Sequence, residues 1–461
     1  MKYLVGDKKF YKRVIAISLP IMMQNGVSNF VNMLDNLMVG RLGTEQLSGV
    51  SIVNDLLFVF NLCLFGAISG AGIFTAQYYG QKNMKAVRDT FRIKLILCGS
   101  ILVIGCVIFL LLNAPLINLY LHDGSQDCNL DLAFECGVTY IKIMVIGLIP
   151  LALENCYAST LRETGETVIP MIASFTAMFV NLIFNYFLIY GKCGFPELGV
   201  AGAAVATVLS RFVQLAIEIV WVKRNLIKVP FMEHAYESMV IPAELLKKVA
   251  IMGLPLLLNE GLWAAGIVVQ KQSYSLRGLA VVAGMNINST ICNVFNVAFI
   301  AIGESVSIIV GQLMGAGKLK EAKLTAYRII AFSLEICLGM GLIVALTSNL
   351  YPLIYNTTDE VRELASSFIL VSAILMPLHG VLHASYFTIR SGGKTGITFL
   401  FDSGFLWVIG VPAAYIICRY TNLGIVTIFA IIEGLNIIKV IIGIIILRSE
   451  VWLQNITGQV S

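Results

Sequence analysis

Charge is scarce in this sequence. Only 13% of its 461 residues are Asp, Glu, Lys or Arg, against roughly a quarter in a soluble domain. Such a chain cannot cover a water-facing surface of its own size. That excludes a cytosolic enzyme, a nucleic-acid binder and a disordered protein. The net charge of +5 does not reverse this, because the basic residues sit in short clusters between apolar runs. No CxxC occurs among the ten Cys, which argues against a zinc site or a disulfide scaffold. Cys128 and Cys136, in the one long polar loop between early segments, leave one disulfide open. No His/Cys/carboxylate cluster has metal spacing, and no Ser/His/Asp arrangement stands out, so neither an enzyme nor a structural metal site is expected. GGKT at 392–395 and GAGKLK at 315–320 lack the upstream Gly of a phosphate loop, and the second lacks Ser or Thr after Lys. ATP hydrolysis and a bound cofactor are therefore not expected.

Apolar residues are abundant: 58% of the chain is hydrophobic and the mean hydropathy is +0.85. A membrane span needs about 20 apolar residues. Twelve such runs lie near 14–39, 46–79, 93–114, 136–160, 168–190, 198–222, 246–270, 279–313, 325–347, 364–389, 396–418 and 423–447. They predict an all-α integral membrane protein. The basic start MKYLVGDKKFYKR precedes a run too long for a cleaved signal peptide, and reads as the first span. Loop charge sets the orientation. Of the 32 Lys and Arg, 23 fall on the side of the N-terminus and the even loops. Six fall on the other side, and Lys142, Arg211 and Lys439 lie within spans. Both termini are thus expected in the cytoplasm, with the lipid bilayer of the cell (plasma) membrane as the main partner.

The chain reads as two copies of one unit. A shift of 235 places Leu19–Pro20 on Leu254–Pro255, Gly26 on Gly261, Gly43 on Gly278 and Gly49 on Gly284. The same shift places Val59–Phe60–Asn61 on Val294–Phe295–Asn296, and Gln77 and Gly80 on Gln312 and Gly315. A shift of 228 places the run from Arg162 to Thr167 on the run from Arg390 to Thr395. Six duplicated spans keep both copies in one orientation, with two pseudo-symmetric six-helix lobes around a central cavity. The expected division is an N-lobe over 1–225, a cytoplasmic linker over 226–245 and a C-lobe over 246–461. Two lobes that rock about a cavity suit a transporter, powered by an ion gradient or by the gradient of its own substrate.

Ionisable residues at membrane depth are costly and so mark function. Asp35 has no opposite charge within two turns on its helix, and lies among Gln24, Asn25, Ser28, Asn29, Asn32 and Asn36. Glu260 follows Asn259, one turn after Pro255. Asn181 and Asn185 are spaced i, i+4 on one face of the fifth span, and amide oxygens beside a carboxylate suit a small cation. They equally suit hydrogen bonding between helices. Arg211 with Glu218, and Glu433 with Lys439, share helix faces and are expected to neutralise each other or neighbours. Asp55 reads as a cap or snorkelling residue and Asp402 as a helix-start residue; Glu154 and Glu335 stay open.

The sequence resembles the multidrug and toxin extrusion (MATE) family. The stretches that carry the resemblance are LPIMMQNGVSNFVNMLDNLMVGRLGTEQLSGV (19–50), AQYYG (76–80), STLRETGETVIP (159–170), NLIFNYFLIYG (181–191), LGVAGAAVAT (198–207), VGQLMGAG (310–317) and TIRSGGKT (388–395). The resemblance implies cation-coupled export of organic, often cationic, small molecules, with Na+ or H+ as the coupling ion. It implies a cation site of Asp35, Asn181, Asn185 and Thr207, with Asn185 at a place where some members carry Asp. Glu260 matches a seventh-span glutamate of the C-lobe. With Asn259, Gln24 and His379 it is assigned to the substrate cavity. His379 stands where some members have an aspartate, and a His there could titrate near neutral pH. The alternative reading is a lipid-linked polysaccharide flippase of similar plan, whose cavity would carry several cationic residues. A membrane-embedded enzyme would need a polar catalytic loop, and none is seen. The chain is expected to act as a monomer.

Overall fold

The computed structural model describes residues 5–121, 129–355 and 357–458. The pairing considered for Cys128 falls outside them. Among the described residues twelve helices are long and apolar enough to cross a membrane. The first six spans are Lys8–Gly40, Thr44–Gly80, Met84–Leu111, Leu130–Glu163, Val168–Tyr190 and Val200–Arg224. The other six are Ala243–Ser275, Leu279–Gly315, Leu319–Thr347, Asp359–Ser391, Thr395–Tyr420 and Ile425–Arg448. Each coincides with one of the apolar runs, and the protein is all-α with no strand among the described residues.

Local chemistry sets the helix ends. The Asn129 side chain caps the fourth span by accepting from the Leu132 amide at 3.1 Å, and Thr358 caps the tenth by accepting from Val361 at 3.4 Å. Gly191 ends the fifth in the left-handed region, at φ 61°. Pro20, Pro150, Pro255 and Pro377 lie inside the first, fourth, seventh and tenth spans. Equivalent helices of the two repeats thus carry an internal proline alike. The eleventh span is irregular, with π-helical winding over Leu400–Gly404 and Leu406–Gly410. Such winding often marks a functional region.

Contacts divide the chain into two compact units. One holds Met23–Thr75 and Met84–Val249; the other holds Met1–Met22, Ala76–Asn83 and Ala250–Ser461. Residues 1–22 and 76–83 therefore belong to a unit otherwise built from the second repeat. Chain order and compact unit differ there. The core explains the first segment: Val14, Ile17 and Ile21 pack with Ala301, Val306, Ile309 and Trp452. The second segment is fixed at a close crossing. A Cβ on Gly80 would lie 2.0 Å from the Gln312 carbonyl oxygen, and one on Gly315 would lie 1.9 Å from that of Gln77. Only glycine permits that approach. The Gln77 amide also donates to the Ser391 carbonyl at 3.1 Å, and its oxygen accepts from the Ile456 amide at 2.9 Å.

The segment after the sixth span is an ordered strap. Phe231 and Ala235 are buried. Arg88 donates to the Phe231 carbonyl at 3.2 Å, and Arg92 donates to those of Ala235 and His234 at 2.9 and 2.8 Å. Tyr236 pairs with the Tyr157 hydroxyl, and burial pushes the Tyr236 hydroxyl above the ordinary tyrosine pKa. The strap folds with the unit that contains the third and fourth spans.

Candidate cation site and its surroundings

Asp35 sits in the last two turns of the first span, Lys8–Gly40, and is 9% exposed. The fifth span presents Asn181 and Asn185 to it from one face, both buried. The Asn185 amide nitrogen donates to Asp35 Oδ1 and to Asn181 Oδ1 at 3.0 Å. The Asn181 nitrogen donates to Thr207 Oγ1 at 3.2 Å, and that hydroxyl donates to the Ala203 carbonyl of its own helix at 3.0 Å. The four residues expected to act together thus form one continuous chain across three spans.

Two features give this chain its chemistry. Asn185 Oδ1 is buried and has no hydrogen-bond partner among the described residues. A buried acceptor without a partner costs about 1–3 kcal/mol. The second feature is Arg211 of the sixth span, within electrostatic reach of Asp35. Its guanidinium donates to the Gly147 carbonyl at 3.3 Å. The carboxylate, two amide oxygens and a hydroxyl form a hard-oxygen set with one negative charge, which fits a small monovalent cation.

The residues assigned to a substrate cavity separate. Gln24 belongs to the same compact unit as Asp35, and its Oε1 accepts from Arg162 at 3.4 Å. Asn259, Glu260 and His379 lie in the other unit. Asn259 is a hub there: its nitrogen donates to Asp402 Oδ2 at 3.2 Å and to the Tyr386 hydroxyl at 3.3 Å. Its Oδ1 accepts from the Ser403 hydroxyl at 2.8 Å. Glu260 is not isolated, since Asn259 and Arg390 both act on it. His379 pairs with Glu433 of the twelfth span at 3.3 Å rather than with Glu260.

The same-helix charge pairs dissolve in favour of neighbours. Lys439 binds Asp402 at 2.9 Å and lies over the rings of Phe401 and Phe405, at 5.5 and 5.7 Å. Glu433 turns to His379 instead. Neither Glu218 oxygen has a hydrogen-bond partner among the described residues, and its charged neighbours are Glu154 and Arg162 rather than Arg211. Residues six or seven apart share a face but are two turns distant, about 10 Å. A side chain on an adjacent helix reaches closer. Asp402 is likewise no helix-start residue, because it sits in the first π-helical stretch.

The sequence pattern of the MatE family matches residues 20–187 and 263–416. The chain belongs to the MatE family. Its curated relatives include the probable multidrug resistance protein NorM of Thermotoga maritima, 26% identical over 420 residues, which cover 90% of this chain and 87% of the relative. Another probable NorM, from Oceanobacillus iheyensis, is 26% identical over 429 residues, with 89% and 90% covered. The fold is similar to a crystal structure of MATE in the straight conformation, with a TM-score of 0.85, 20% identity and 97% of each chain covered. It is also similar to a variant of the Vibrio cholerae MATE transporter VcmN, with a TM-score of 0.85, 17% identity and 96% and 98% covered.

This MatE chain is thus a multi-pass membrane transporter. Asp402, Lys439, Ser403 and Tyr386 were missed as a group by sequence reasoning. One signal was available: Asp402 and Lys439 are both ionisable and both lie inside apolar runs. Two such residues of opposite sign on consecutive helices invite pairing.

Proposed function

We propose that this MatE transporter exports organic, often cationic, compounds in exchange for Na+ or H+ entering at Asp35. The observation that carries the reading is the buried chain from Asp35 through Asn185 and Asn181 to Thr207. Asp35 supplies the one charge, and the neutral oxygens replace part of the hydration shell of Na+. The same carboxylate can instead take a proton, so the two ions compete. A cation that binds one conformation better than another biases the alternation between them. The names of the NorM relatives support drug-like substrates.

The unpartnered Asn185 oxygen favours Na+ over H+, since a proton on Asp35 needs no further acceptor. The loop charges support cytoplasmic termini in a cell membrane, and the repeats support two lobes of six spans. A lipid-linked polysaccharide flippase would need bases free to meet a phosphate. Lys439 is held by Asp402 and Arg211 by a backbone carbonyl, which does not favour that reading. The test is efflux of a fluorescent organic cation from proteoliposomes, under Na+ and pH gradients imposed separately. Efflux that responds to neither gradient would overturn the coupling.

A further inference from the structure

Three turns along the sixth span from Thr207 lies Glu218. It is completely buried, at 0% exposure, and neither carboxyl oxygen has a hydrogen-bond partner among the described residues. Glu154 of the fourth span is 8% exposed. Its Oε1 accepts from the Gln214 amide at 2.8 Å, and that amide also meets Ser174 Oγ at 3.1 Å. The two carboxyls lie within electrostatic reach of each other. The other titratable or charged groups around them are Cys156, Tyr157 and Arg162 on the fourth span, Lys94 on the third, Arg211 on the sixth and Tyr236 on the strap.

An ionised carboxylate buried without partners is among the costliest states a side chain can adopt. Two of them close together add mutual repulsion. Arg162 is within electrostatic reach of both carboxyls but donates to neither Glu218 oxygen, so Glu218 still needs a positive partner in direct contact. A metal ion would need several oxygen ligands. The groups around this pair are instead an amide NH2 and guanidinium groups, which donate and repel cations. A proton needs no ligand set beyond one carboxyl oxygen.

We propose that Glu218 and Glu154 form a second proton site, separate from the Asp35 chain, with Glu218 as the group that holds the proton. Arg211, within reach of both Asp35 and Glu154, links its charge state to that of the first site. The proton site stands on the burial of both carboxyls, their proximity and the missing hydrogen-bond partners of Glu218. Only its consequence for transport rests on the reading of Asp35.

Infrared difference spectra of the full chain in lipid, taken between acid and alkaline buffers, read the C=O band of protonated carboxyl groups. Glu218→Gln is expected to lose one such band that Asp35→Asn keeps, and Glu154→Gln to shift the pH midpoint of that band. An unchanged set of bands in a folded Glu218→Gln protein overturns the proposal. Where that variant fails to fold, Glu218→Asp retains the acid and is expected to move the band; an unmoved band overturns it equally. Loss of the band on adding Na+ at fixed pH would make this a metal-cation site and overturn the assignment to a proton. Because the band is read without transport, its failure is distinct from failure of the exporter reading.

Discussion

Gly80 and Gly315 each face the backbone beside the other. A Cβ on either would stand 2.0 or 1.9 Å from a carbonyl oxygen, of Gln312 in one case and of Gln77 in the other. The two residues are also equivalents in the duplicated sequence. The motif Gln-x-x-Gly has therefore been copied and packed against its own copy. Sequence, crossing geometry and stability meet at this point.

The first prediction follows from that contact. Gly80→Ala and Gly315→Ala should each destabilise the purified protein by about 1–3 kcal/mol, the usual range for overpacking. The double variant should lose less than the sum, because both methyl groups press on one crossing. Thermal unfolding in detergent reads this as a lowered Tm, and an unchanged Tm would mean that the crossing yields.

Asp35→Asn should reduce cation-driven efflux to the background of empty vesicles while leaving expression and Tm near wild type. The substitution keeps the shape and the hydrogen bond with Asn185 but removes the charge. Coupled efflux at wild-type rates would remove Asp35 from the mechanism.

Asn185→Asp should shift efflux towards a pH gradient and away from a Na+ gradient. It replaces the unpartnered amide oxygen by a second carboxylate, and two adjacent carboxylates stabilise one proton between them. Asn181→Ala should harm Na+-driven efflux more than H+-driven efflux, since it deletes an oxygen that a proton does not need. The measurement is initial efflux rate at fixed pH with Na+ varied against an inert cation.

Asp402→Asn and Lys439→Met should each cost about 3–5 kcal/mol, the range for one partner removed from a buried ion pair. The double variant should recover much of the loss. A double-mutant cycle on Tm checks this, and two small, additive effects would show that the pair is solvated.

Much of this architecture was legible in the sequence because lipid enforces it. Every backbone group in a span must be satisfied within a helix, so apolar runs and helices coincide closely. The Asp35 chain was also legible. The i, i+4 spacing places Asn181 and Asn185 on one face, and the resemblance to the MATE family supplied the partner helices. Charge pairing was not legible. The partners of Lys439, Glu433 and Asp402 come from other helices or from an irregular π-helical stretch, and spacing along one helix cannot report these. Nor could the sequence place residues 1–22 and 76–83, because hydropathy records burial in lipid and says little about which helices touch.

The division of the chain into units also bears on how it is made. One unit is drawn from residues 23–75 and 84–249 and includes the strap. All of its parts have been synthesised before the eighth span leaves the ribosome, so it can complete its packing early. The other unit needs residues 1–22, 76–83 and 250–461. Its core includes both Val14 and Trp452, and Gln77 is held by Ile456. The earliest residues to enter the membrane must therefore wait, unpacked on that side, until nearly the last have arrived. Contacts of such long sequence separation form slowly. Over that interval the start of the first span and the end of the second are the parts of the nascent protein most exposed to chaperones, wrong partners and quality-control proteases.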